Sequence, residues 1–130
     1  MPFVTLTVHR DTTPATRRLL LDAVHASLVS VGVPAADRFQ RVIPLAGEDF
    51  IYDPHYPEEP GSGRPPRDHR FAMVEVLWSV GRSVKVKRKL LEELMGSLAK
   101  SGFDAENVMV VFKETTWENW AFGGGRQIHV

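Results

Sequence analysis

The chain has 130 residues, 43% of them apolar and 25% charged, and its sixteen basic residues balance sixteen acidic ones. That length supports one domain with a genuine core, and the charge balance leaves no global field to attract nucleic acid or an anionic membrane. The absence of cysteine excludes disulfides, zinc-thiolate sites and thiol catalysis, and no apolar run approaches the length of a membrane span, so a cytoplasmic address is expected.

Residues 1–8 read as a short strand, with Val4, Leu6 and Val8 on one face and Phe3, Thr5 and Thr7 on the other. Pro2 at its start sacrifices no interior ladder bond. If Met1 is removed, Pro2 becomes a secondary amine at a sheet end, able to accept or donate a proton. If Met1 stays, Pro2 is an ordinary amide. Thr13 and Pro14 then mark a helix start, as cap and first helical residue. Leu20, Val24, Leu28 and Val31 form its apolar stripe, and Gly32 with Pro34 ends it. Residues 39–43 predict a second strand, parallel to the first across a right-handed crossover.

Residues 44–70 contain Pro54, Pro57, Pro60, Pro65 and Pro66 together with Gly61 and Gly63, which excludes helix and interior strand over most of the stretch. Phe50, Ile51, Tyr52 and Tyr56 are expected to pack its first half down, while the part around Gly61 is expected to be mobile. The pattern restarts at 71–78, an apolar run broken only by Glu75. Ser83 is the natural cap of a second helix, with Val84, Leu91, Leu94, Met95 and Leu98 as its stripe and a solvated face of Lys and Glu around it. Gly102 ends that helix, and 108–112 predicts the closing strand.

The chain therefore repeats one unit. Residues 32–42 correspond, with one residue dropped, to residues 102–111. The expected fold is α/β (α+β): one domain over residues 1–130, built from tandem β-α-β units at about 2–44 and 70–114 with a tail at 115–130. Joined edge to edge, the units make a four-stranded mixed sheet with two helices on one face. The other face is left for a symmetric oligomer to cover.

This geometry brings distant residues together. Neighbouring parallel strands start at the same end of a sheet, so Asp37 is expected beside Pro2. The strand at 71–78 runs antiparallel to the first, so its end delivers Arg82 to the same place, just ahead of a helix N-terminus that favours anions. Trp117, Trp120 and Phe122 precede a glycine run at 123–125 read as flexible, and 126–130 is a candidate last strand. Gly123, Gly124 and Gly125 lack the context of a phosphate loop, and the histidines lack metal-ligand spacing, so no metal and no cofactor are expected.

Met1-Pro2, Asp37-Arg38-Phe39-Gln40, Gly81-Arg82-Ser83 and the motif Glu118-Asn119-Trp120-Ala121-Phe122-Gly123 together resemble the tautomerase superfamily, in its malonate semialdehyde decarboxylase-like branch. The resemblance covers nearly the whole chain. It implies a homotrimer of β-α-β repeats with an N-terminal proline in each site and a small carboxylate as substrate. Pro2 matches the catalytic proline, Asp37 the water-orienting aspartate, and Arg82 the arginine that binds the substrate carboxylate. Trp120 and Phe122 match the hydrophobic wall, to which Phe39 is added. The decarboxylases carry a second arginine where this chain has Val80, and related dehalogenases carry one where it has Ser79. His25 recurs in the family's first helix, yet its position beside the apolar stripe reads as structural.

Three functions follow. The first is a tautomerase, with neutral Pro2 as general base for enol–keto isomerisation of small 2-oxo acids. The second is decarboxylation or hydration of a 3-oxo or unsaturated acid, with cationic Pro2 and water activated by Asp37. The third is a non-enzymatic trimeric interaction protein.

Overall fold

The computed structural model describes residues 1–59 and 61–129. Along the chain it forms β1 (Phe3–His9), α1 (Pro14–Ser30), β2 (Gln40–Leu45), β3 (Ala72–Ser79), α2 (Val84–Lys100) and β4 (Val108–Thr115). The sheet order is β2-β1-β3-β4. β1 pairs parallel with β2, β3 pairs parallel with β4, and the two halves join antiparallel through β1 and β3. This is the expected tandem β-α-β repeat.

Local chemistry sets the helix ends. The Thr13 hydroxyl accepts from the Thr16 N–H and the Ser83 hydroxyl accepts from the Val86 N–H, each at 3.2 Å, satisfying donors that the first helical turn leaves free. Both helices stop in the same way. Gly32 and Gly102 adopt positive φ, 106° and 78°. The N–H of Val33 then reaches the Leu28 carbonyl at 3.1 Å, and that of Phe103 the Leu98 carbonyl at 3.0 Å.

Both helices lie on one face of the sheet. Leu20, Val24 and Leu28 of α1 and Leu90, Leu94 and Leu98 of α2 share one core with Val4, Leu6, Val8, Val74, Val76 and Trp78. Each fully buried aliphatic side chain there contributes about 1.5–3 kcal/mol from removal of apolar surface. Leu90, rather than Leu91, is the first fully buried residue of the α2 stripe, and Val84 is exposed. The expected stripe began too early: Val84 is the first residue of the helix, and the buried set runs at four-residue spacing from Leu90. The opposite sheet face carries Phe3, Thr5 and Thr7 beside Ile43, Met73, Leu77, Met109 and Val111, and Met109 is 45% exposed.

Two strands run longer than expected. β4 continues through Lys113, Glu114 and Thr115 because its ladder with β3 holds it, although the apolar run has ended. β2 admits Pro44, which an edge strand tolerates. In the long connection, Phe50 and Tyr52 pack on Phe71, but Ile51 and Tyr56 are exposed, so only two of the four aromatic and aliphatic anchors expected there are used. The tail forms no last strand among the described residues, only an isolated bridge between Phe122 and Arg126; Val130 lies outside the described residues. Residues 123–125 are not a flexible run either. They form a tight turn closed by the Phe122 N–H on the Arg126 carbonyl at 2.8 Å. Among the described residues, no helix is long and apolar enough to cross a membrane.

Nothing lies within 4 Å of a Cβ built on Gly32 or Gly102, so alanine there meets only the backbone cost of positive φ. Gly32→Ala and Gly102→Ala are each expected to lower stability by about 1 kcal/mol, read as a lower urea midpoint at unchanged slope.

Candidate active site

Pro2 is buried at the start of β1, between both neighbours of that strand. On one side the Val4 N–H donates to the Phe39 carbonyl at 2.9 Å, which brings the turn preceding β2 alongside. On the other side Phe3 pairs with Leu77 and Val4 with Val76; continuing that register sets Pro2 opposite Trp78.

With Met1 in place the Pro2 nitrogen is an amide, and the charged group beside Asp37 is the Met1 α-amine. It lies 3.6 Å from Asp37 Oδ2, with the carboxylate only 10% exposed. Asp37 Oδ1 is buried without a partner. Burial pushes the α-amine below its ordinary pKa; Asp37 pulls it up, and Arg82 pushes it down again. Burial also lowers the Arg82 guanidinium, while Glu114 and Asp37 act in the opposite sense. An arginine so placed still stays charged at neutral pH. The amine, the carboxylate and the guanidinium thus converge as the repeat requires.

The apolar part of the site is a cavity of about 430 Å³ lined by Met1, Pro2, Phe3, Phe39, Trp120, Ala121, Phe122 and Gly123. Phe39 and Phe122 stand with ring centroids 6.2 Å apart. Trp120 buries its indole N–H without a partner. All three wall residues expected from the sequence therefore reach the cavity. Asp37 and Arg82 do not line it, but both act on the amine that does. A small acid could place its carboxylate toward Arg82 and its carbon skeleton against the aromatics.

Sequence reasoning missed the surroundings of Arg82. Its Cζ sits 4.7 Å from the Trp78 ring centroid and 5.8 Å from that of Trp117, and its Nη1 donates to the Ser79 carbonyl at 2.7 Å. An aromatic ending the apolar run four residues before Arg82 was the available signal. His25 serves the site at one remove. Its Nε2 lies 2.8 Å from the Ala35 carbonyl, in the turn that carries Asp37. Among the described residues, no group of three or more His, Asp or Glu could hold a metal ion.

Residues 37–123 match a family model described as tautomerase enzyme. The chain belongs to the tautomerase family. The match begins at Asp37 and so excludes Pro2, but structural likeness extends over the remainder. The fold superposes on FG41 malonate semialdehyde decarboxylase with a TM-score of 0.82 and 28% identity, over 96% of this chain and 92% of that one. A second malonate semialdehyde decarboxylase, described for its decarboxylase and hydratase activities, matches with a TM-score of 0.82 and 29% identity over 96% and 93%. A fused 4-OT described as a symmetric trimer matches at 0.70 and 25% identity over 95% and 94%. No curated protein sequence matches the chain. The chain is accordingly an enzyme of the tautomerase superfamily.

His25→Ala removes the bond to Ala35 and is expected to cost about 1 kcal/mol in urea unfolding. The accompanying amide chemical-shift changes are expected to centre on residues 35–38.

Proposed function

We propose that this protein, once Met1 is removed, is a tautomerase that uses the Pro2 amine as general base for enol–keto isomerisation of small 2-oxo acids. One observation carries the reading: the chain's N-terminus lies 3.6 Å from Asp37 at the mouth of an apolar cavity lined by Pro2, Phe39, Trp120 and Phe122, where burial already holds the Met1 α-amine below its ordinary pKa. A depressed pKa leaves more of the amine neutral near pH 7, as a general base requires. Neutral Pro2 takes the enol hydroxyl proton, the electron pair shifts to form the 2-oxo group, and the resulting ammonium returns the proton to C3. Arg82 holds the carboxylate. Trp120, Phe122 and Phe39 keep water from the carbon that is protonated.

Asp37 favours a second reading. A carboxylate 3.6 Å from the terminal amine, with one buried oxygen unpartnered, could orient a water beside a cationic Pro2. That would support decarboxylation or hydration of a 3-oxo or unsaturated acid, in line with the likeness to malonate semialdehyde decarboxylases. Ser79 and Val80 supply no second positive charge, which weighs against it. The open sheet face with Phe3, Met73, Leu77 and Met109 supports a homotrimer, and one similar structure is described as a symmetric trimer. A trimeric protein without activity is the remaining alternative.

In the processed protein, Pro2→Ala is expected to cut kcat/KM on an enol of a 2-oxo acid by at least about 100-fold, the scale of general-base catalysis. Asp37→Asn should leave most of that activity; its abolition together with product hydration would favour the water-dependent chemistry. Intact-mass analysis showing Met1 retained would sink both enzymatic readings. The pH profile separates the protonation states. A neutral base gives kcat/KM that rises as pH passes upward through the Pro2 amine pKa and then levels, whereas a cationic proline gives the opposite slope. Light scattering is expected to return the mass of three chains.

A further inference from the structure

We propose that Trp78 and Trp117 are positioning residues that hold Arg82 between two indole faces, so that its guanidinium is preset to take the substrate carboxylate. The inference rests on the carboxylate-binding role proposed for Arg82 and identifies what presets it.

Arginine carries a long side chain with much rotamer freedom, and a lone flexible arginine spends that freedom when it binds an anion. Here the freedom is already gone. The guanidinium carbon lies 4.7 Å from the Trp78 ring and 5.8 Å from the Trp117 ring, both within cation–π range. The Ser79 carbonyl holds Nη1 at 2.7 Å, leaving other guanidinium N–H groups free to donate.

The indoles are themselves fixed. Trp78 is fully buried and stacks on Phe112, with centroids 5.2 Å apart and planes 14° apart. Trp117 is braced by the His129 ring at 5.1 Å. The competing carboxylate of Glu114 is occupied by Lys87 Nζ at 2.7 Å, so the Arg82 charge is less neutralised from within. Val80 stands beside this cluster at 39% exposure and provides no charge. The stacked and hydrogen-bonded setting therefore supplies the orientation of this guanidinium.

The test is direct binding of 3-phenylpropionate and of its neutral amide to the full chain by titration calorimetry. Wild type is expected to prefer the acid. Trp117→Leu, at a residue 37% exposed, and Trp78→Phe, which keeps a ring on Phe112, are each expected to weaken acid binding about 3- to 30-fold while changing amide binding less than about twofold. In an Arg82→Gln background the same substitutions should add nothing to the acid–amide difference. Equal weakening of acid and amide would overturn the proposal and leave the indoles as a wall. So would an indole effect that persists without Arg82, or a wild type that does not prefer the acid. If Trp78→Phe fails to fold, Trp117→Leu decides. Because binding is read without turnover, a protein that prefers the acid yet isomerises no enol would defeat the tautomerase reading and leave this one standing.

Discussion

The two hydrogen-bond ladders on β1 carry the site. β1 is a central strand of the sheet, parallel to β2 of its own half on one side and antiparallel to β3 of the other half on the other side. Parallel pairing aligns starts, so the turn before β2 brings Asp37 to the beginning of β1. Antiparallel pairing aligns a start with an end, so β3 delivers Trp78 and Arg82 to the same point. A slip of one residue in either ladder would turn every side chain to the other face and dismantle the group. Burial of Val4, Leu6 and Val8 against the helices makes such a slip costly, and the register is therefore held by the core rather than by the site.

Within that frame three charges share a small, partly dry volume. Each affects the others: Asp37 stabilises the terminal ammonium and the guanidinium, and Arg82 disfavours the ammonium. The Met1 amine lies below its ordinary pKa because desolvation acts on the charge itself, Asp37 compensates only in part, and Arg82 adds to the lowering. Arg82 stands in a similar position. It loses hydration on burial and regains interaction from two indole faces and one carbonyl. Such a site is ordered before anything binds, which is the condition for fixed charges to act strongly on a small acid.

Much of this was legible in the chain. Thr13, Ser83, Gly32 and Gly102 marked both helices, because capping and positive φ are local requirements that few residue types meet. The repeat then followed from periodicity, and with it the meeting of Pro2, Asp37 and Arg82. Other features were not legible, because their causes are not local. Glu114 and Thr115 belong to β4 through a ladder with Trp78 and Ser79, far away in sequence. Residues 123–125 read as a flexible run and form a tight turn, since the closing bond comes from Arg126. Ile51 and Tyr56 read like anchors and stand exposed, because Phe50 and Tyr52 already fill the surface that Phe71 and His9 offer.

By itself, then, the sequence determined the elements, their order, the parallel pairing within each unit and the three polar residues that meet at one end of the sheet. Periodicity, caps and turn glycines are readable one segment at a time, and the rules of β-α-β connection do the rest. Only the tertiary structure decided that Phe39, Trp120 and Phe122 line one cavity with Met1 and Pro2, while Asp37 meets the terminal amine outside that lining. It alone decided that Arg82 is seated between Trp78 and Trp117. Those arrangements depend on how side chains from four separate segments pack at one sheet edge. Packing of that kind has no period along the chain.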